Sequence, residues 1–146
     1  MDMSQVPKLI RGSLFNDFRG SLTSCNDFDM ADVRRMYYIA PSSVNIVRAW
    51  QAHKYEKKWF LCINGGFEIK LIKIDDFDNP SYKLPIFSYL LNANTPQILY
   101  IPSGYANGFK PTEGASRLLV FSNYTLTESN NDDYRYEPNY WGEWQN

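Results

Sequence analysis

Arg48-Ala-Trp-Gln-Ala-His-Lys-Tyr-Glu-Lys-Lys-Trp-Phe-Leu-Cys-Ile-Asn-Gly65 carries the only histidine of the chain, His53, between two stretches that read as strands. Upstream, Val44 to Trp50 is rich in β-branched and aromatic residues. Downstream, Trp59 to Ile63 is an unbroken apolar run of the length of a buried strand. Lys54 to Lys58 is the polar loop that joins them, and its Lys54, Lys57 and Lys58 with Glu56 form a mixed charge run of the kind that ordinarily faces solvent. Alternation puts Ala49, Gln51 and His53 on one face of the first strand, with Trp50 and Ala52 on the other. A Gln51–His53 pair thus points one way, toward the inside of whatever the strands enclose.

Working outward, the same signals repeat. Leu9 leads through a turn at Asn16-Asp17-Phe18-Arg19-Gly20 into Ser21 to Cys25, and Arg34 to Ile39 follows as a strand closed by Pro41-Ser42-Ser43. Asn64-Gly65-Gly66 is a strong turn signal, after which Phe67, Ile69 and Leu71 alternate with Glu68 and Lys70. Ile86 to Leu91, Gln97 to Ile101 and Arg117 to Phe121 are further strands. The connections between them are Asn92 to Pro96 and Pro102 to Phe109. Only Asn26 to Val33 and Leu126 to Asp133 suit a helical turn or two. Many short strands at even spacing predict an all-β sandwich, barrel or jelly roll, with 1–146 forming a single domain. The aromatic tail, Tyr134 to Trp144, is expected to pack its rings over an open end of the barrel.

Composition agrees. Of 146 residues 44% are hydrophobic and 16% aromatic, with eleven Tyr and nine Phe, a bias that suits pleated sheet. The net charge is −1 and Lys and Arg are scattered, so there is no basic stripe for nucleic acid. No apolar run approaches a membrane span, and Met1 to Ser13 does not read as a signal peptide, so a cytoplasmic protein without a membrane role is expected. Cys25 and Cys62 read as free thiols.

Several motifs then occur in one order: Asp17-x-Arg19-Gly20; Arg48-x-x-Gln51-x-His53-Lys54; Lys58 leading an apolar strand to Gly65; and Ile101-Pro102-x-Gly104-Tyr105-Ala106-Asn107-Gly108-Phe109. In that order the chain resembles the cupin-fold dTDP-4-dehydrorhamnose 3,5-epimerases. In Arg35-Met36-Tyr37-Tyr38-Ile39 and Arg48 to Lys54 it is still more similar to the sugar-nucleotide 3,4-ketoisomerases. The resemblance runs roughly from Leu9 to Tyr124. It implies a cupin, that is, a double-stranded β-helix or jelly roll, a homodimer, and a nucleotide-linked 4-keto-6-deoxy sugar as substrate in surface-polysaccharide synthesis.

Such chemistry needs a base near neutrality and a cation or donor beside a developing enolate oxygen. By resemblance His53 and Lys58 are the catalytic residues, and Arg19, Arg48, Gln51, Tyr38 and Asn107 bind substrate. Tyr37 and Tyr38 alternate, so one of the two lines the cavity. Arg48 alternates with His53, so for both to serve one site the strand needs a bulge near Ala49; otherwise Arg48 could pair with Glu68. The departures matter too. Gln51 stands where the family has its first catalytic histidine, and Asn107 replaces another. The acidic tyrosine of the 3,5-epimerases falls near Leu126, with Tyr124 its neighbour. A 3,5-epimerase is therefore not expected, whereas a 3,4-ketoisomerase or single epimerase is. The alternative is a catalytically inactive cupin that binds a sugar nucleotide or a partner enzyme. One histidine cannot build the site of a metal-binding cupin, and the reaction calls for no cofactor.

Overall fold

The computed structural model describes residues 3–144. After a short 3₁₀ turn at Met3–Gln5 come strands β1 (Lys8–Arg11), β2 (Ser13–Asp17), β3 (Gly20–Ser24), β4 (Arg35–Ile39), β5 (Arg48–Ala52) and β6 (Lys58–Asn64). Then follow β7 (Gly66–Lys73), β8 (Phe87–Asn92), β9 (Gln97–Ile101), β10 (Tyr105–Pro111), β11 (Arg117–Ser122), helix α1 (Leu126–Asn130) and β12 (Tyr134–Arg135). Among the described residues they form two five-stranded antiparallel sheets, in the orders β1-β9-β6-β11-β4 and β12-β5-β10-β7-β8, with β2-β3 as a separate hairpin. This is the cupin-like jelly roll.

Period-two alternation explains the core. Phe60 and Cys62 of β6, Leu99 and Ile101 of β9, and Leu118 and Val120 of β11 face Phe67, Ile69 and Leu71 of β7 and Phe109 of β10. Each fully buried side chain of this size contributes about 1.5–3 kcal/mol relative to exposure. The unbroken run Trp59 to Ile63 has its own cause: the outer face of the first sheet is covered as well. There Trp59, Ile98, Tyr100 and Phe121 pack under Cys25, Phe28 and Val33. On the second sheet Trp50, Ala52, Ile72 and Ala106 lie against Trp141, Tyr136, Tyr140 and Trp144. The aromatic tail thus covers a sheet's outer face rather than an open end, because Trp50 and Ile72 supply apolar surface there.

Three further expectations change. Val44 to Val47 lies outside the strand, which starts at Arg48. Asn26 to Val33 makes turns and no helix. The largest difference is Tyr105–Pro111, expected within a connection and found as β10, paired with β5 on one side and β7 on the other. Its Gly and Ala content reads as loop, but here small residues admit close neighbours. A Cβ on Gly108 would lie 2.7 Å from the Ala49 Cβ and 3.0 Å from Trp50 Cε3. Tertiary packing outweighs local propensity.

Candidate active site

Strand β5 slips its register against β10 where Asn107 faces Gln51 and Phe109 faces Arg48, so β5 carries an extra residue around Ala49–Trp50. That bulge turns Arg48 and Gln51 toward one cavity of about 560 Å3 between the sheets. Lys58, the first residue of β6, Asn107 of β10, Arg135 of β12 and Tyr37 of β4 join them on its wall, with Phe60 and Phe109 as apolar floor. Lys58 Nζ donates to Gln51 Oε1 at 3.0 Å, and Gln51 Nε2 donates to Asp133 Oδ1 at 3.2 Å. Arg135 pairs with the same Asp133 carboxylate at 2.7 Å. Asn107 Nδ2 donates to the Gln51 carbonyl at 3.3 Å, which holds the bulge in place. Tyr136, also on the wall, donates its hydroxyl to the Phe77 carbonyl at 2.7 Å, and burial pushes its pKa up to about 12.

The loop after β5 is tied inward chiefly by Asp132, with Asn123 Oδ1 accepting from the Lys57 N–H at 2.8 Å. Thr125 and Glu128 form a capping box on α1, and the chain leaving that helix delivers Asp132 to the loop. The Asp132 carboxylate accepts from the backbone N–H groups of Lys54, Tyr55 and Glu56 at 2.8, 2.9 and 2.9 Å. Its carbonyl faces His53 Nδ1. A carbonyl only accepts, so Nδ1 carries the hydrogen and Nε2 keeps its lone pair in the neutral ring. His53 is buried, and Nε2 has no hydrogen-bond partner. Burial and then the Lys58 charge push the imidazole pKa below its ordinary value, while Glu56 and Asp132 oppose them.

Glu56 is the surprise of the loop. Its side chain is fully buried, with Oε2 accepting from Ser122 Oγ at 2.7 Å and from Arg35 Nη2 at 3.3 Å. Lys58 Nζ stands 4.0 Å from Oε2, and His53 Nδ1 stands 3.5 Å from Oε1. Among the described residues no group of three or more His, Cys, Asp or Glu side chains could hold a metal ion.

The WxcM-like, C-terminal family, labelled FdtA, matches residues 4–143. The chain belongs to that family. No curated protein matches it. Among solved structures, QdtA, a sugar 3,4-ketoisomerase from Thermoanaerobacterium thermosaccharolyticum in complex with TDP, aligns with a TM-score of 0.69 at 25% identity, over 97% of this chain and 94% of its own. The WlaRB TDP-quinovose 3,4-ketoisomerase of Campylobacter jejuni gives 0.63 at 23% identity, over 92% and 96%. The rmlC epimerase of Mycobacterium tuberculosis gives 0.74 at 18%, over 99% and 76%. The last two show the fold alone.

In this WxcM-like chain the sequence-predicted residues divide. Arg48, Gln51, Lys58 and Asn107 share the cavity wall. His53 is close to Lys58 through Glu56 but is not part of the wall. Tyr38 points outward and is 65% exposed, so of the two alternating tyrosines it is Tyr37 that reaches the cavity. Arg19 sits at the tip of the β2-β3 hairpin, bound to Asp17 at 2.6 Å and away from the wall. Glu68 stands by Lys70 at 4.0 Å, and Arg48 stays on the cavity wall. Four residues had no sequence signal as site residues: Arg35, Glu56, Asp132 and Arg135. Glu56 was hidden in a charge run that reads as solvated; it is buried, as Lys58 is, and the Asp132 clamp draws the loop inward. Asp132 and Arg135 lie in a tail whose only legible feature is aromatic.

Proposed function

We propose that the cavity takes a nucleoside-diphosphate-linked 4-keto-6-deoxy sugar and that the protein moves the ketone between C4 and C3. The carrying observation is the charge of the wall: Arg48, Lys58 and Arg135 line it and no carboxylate does. Forked guanidinium groups suit a diphosphate, and Tyr37, Phe60 and Phe109 suit the flat faces of a base or deoxy sugar. In support, QdtA has been solved with TDP, and a histidine-to-asparagine mutant of it with TDP-4-keto-6-deoxyglucose.

The isomerisation balances without a redox partner. A base takes the C3 proton, its electron pair forms an enediolate across C3 and C4, O4 gains a proton, the C3 hydroxyl gives one up, and C4 is reprotonated. Lys58 is the cation for the developing oxygen charge. His53, with its lone pair on Nε2, is the base; because it is not itself on the wall, the C3 proton passes to it through an intervening water. Gln51 and Asn107 orient sugar hydroxyls, and Arg48 and Arg135 hold the diphosphate.

The working unit we infer is a homodimer. The β2-β3 hairpin pairs with neither five-stranded sheet and exposes Phe15 (59%), Phe18 (97%) and Leu22 (61%). The edge strand β4 exposes Met36 and Tyr38. A second copy would cover both, and Arg19 would approach a cavity only in such a pair. Two free thiols suit the cytoplasm, where sugar nucleotides are made.

Proton NMR of dTDP-4-keto-6-deoxyglucose in heavy water tests the reading. Loss of the C3 signal with a new 3-keto product supports it, and no exchange at high protein concentration overturns it for this substrate. A second reading, a binder without turnover, is favoured by one observation: Gln51, on the wall, cannot take up a proton. TDP binding with no exchange would establish that reading.

A further inference from the structure

The proposed function uses His53 and Lys58 as two separate groups, yet one buried carboxylate stands between them. Glu56 Oε1 is 3.5 Å from His53 Nδ1, while Oε2 is 4.0 Å from Lys58 Nζ and accepts from Ser122 and Arg35. Oε1 has no hydrogen-bond partner although it is buried. A merely structural carboxylate at this depth would be expected to spend both oxygens on donors. This one spends Oε2 and leaves Oε1 beside the imidazole.

We propose that Glu56 is a positioning residue that links the cavity cation Lys58 to the His53 imidazole, so that charge arriving at the cavity wall is felt at the histidine. The inference deepens the reading of the cavity as the site and rests on it for its meaning in turnover. The electrostatic link itself does not depend on any substrate. With Lys58 alone on its wall side, Glu56 has its charge shared between Lys58 and Arg35. When an anionic group in the cavity draws Lys58 toward itself, Glu56 loses part of that compensation and holds a proton on His53 more strongly. A base that becomes more basic as the anionic substrate seats itself is matched to its task. The charged groups surrounding His53 are Glu56 of its own loop, Lys58 of β6, Arg35 of β4, and Asp132 and Asp133 of the segment before β12.

Because the chain has one histidine, its imidazole gives a single, unambiguous proton resonance. The experiment is an NMR pH titration of His53 in the full chain, wild type against Glu56→Gln, without ligand. Glu56→Gln keeps the shape and removes the charge, and the midpoint is expected to fall by about 1–3 pH units. Should that variant fail to fold, Glu56→Asp keeps the charge but withdraws it by one methylene, and a smaller fall is expected. A folded Glu56→Gln or Glu56→Asp chain with an unmoved midpoint overturns the link. So does failure of both variants to fold, which would assign Glu56 to stability alone. TDP titrated into the wild type separately tests the cavity reading: no binding sinks that reading and leaves the midpoint comparison intact.

Discussion

Lys58 Nζ and Gln51 Oε1 lie 3.0 Å apart on the wall of one cavity, although seven residues and a loop separate them in the chain. The contact exists because the bulge in β5 and the start of β6 face each other across the end of the core. It leaves Lys58 with donor capacity directed at the cavity, since an ammonium has three hydrogens. Lys58→Met should therefore weaken binding of dTDP-4-keto-6-deoxyglucose by about ten- to a hundredfold, the worth of a charge-assisted hydrogen bond to its keto oxygen. Isothermal titration calorimetry checks it, and an unchanged affinity would remove Lys58 from the ligand's contacts.

By the resemblance of Arg48 to Lys54 to the family motif, Gln51 stands where a histidine is expected, and its amide donates to Asp133. An imidazole there would have the Asp133 carboxylate as its orienting acceptor and the cavity on its other side. Gln51→His is expected to raise the rate of C3 proton exchange by about 10²–10⁴-fold, the usual contribution of a positioned base. Deuterium incorporation followed by NMR measures this, and no gain would show that position 51 does not face the reacting carbon.

Asp132 holds three consecutive N–H groups of the loop that carries His53 and Glu56. Asp132→Ala leaves the buried Glu56 N–H without an acceptor and should destabilise the chain by about 2–4 kcal/mol. Asp132→Asn, which keeps one oxygen, should cost less. Because His53 bonds the backbone carbonyl of residue 132, the side-chain change should leave the tautomer intact. Urea denaturation and the imidazole nitrogen shifts check the two statements independently.

How much of this was legible before the structure depends on the kind of signal. Strands such as Phe67 to Leu71, with one partner face per residue, alternate openly, and β9 matches its predicted bounds. The bulge near Ala49 was legible only through the resemblance, which asks Arg48 to share a site with the opposite face of a strictly alternating strand; the structure brings Arg48 together with Gln51 rather than His53. Strand β10 was not, since glycine and alanine mean a turn locally and a close approach only in the packed sheet. The choice between Tyr37 and Tyr38 rests on which face of β4 meets the cavity, and alternation cannot say that. Glu56 and Asp132 are 76 residues apart and act as one unit; nothing in either neighbourhood announces the other.

The hairpin of β2 and β3 offers a test of assembly. Phe15 and Leu22 are register partners on it and both are exposed. Phe15→Asp with Leu22→Asp would place two charges at the covered surface of the proposed pair. Sedimentation should then show a monomer where the unmodified chain sediments as a dimer, with the thermal midpoint no longer dependent on concentration. A monomeric unmodified chain would sink the homodimer.

His53 also sets an acid limit on stability. In the unfolded chain its imidazole takes up a proton near the ordinary pKa of 6.5, whereas in the folded protein burial and Lys58 push that uptake to lower pH. Between the two values the unfolded chain binds more protons than the folded one, so acid favours unfolding. The stability is fully present above about pH 6.5 and is lost as pH falls from there through the folded pKa, with a slope of at most about 1.4 kcal/mol per pH unit. Carboxylates whose pKa is held low, such as Glu128 under its hydrogen bonds from Thr125, lose their contribution only at more acid pH, below ordinary values of about 4. His53→Gln should therefore flatten the stability profile as pH falls below about 6.5 and leave the more acid, carboxylate-governed limb unchanged. Denaturation midpoints measured across that range decide it: a profile as steep in His53→Gln as in the wild type would place the acid sensitivity on another group.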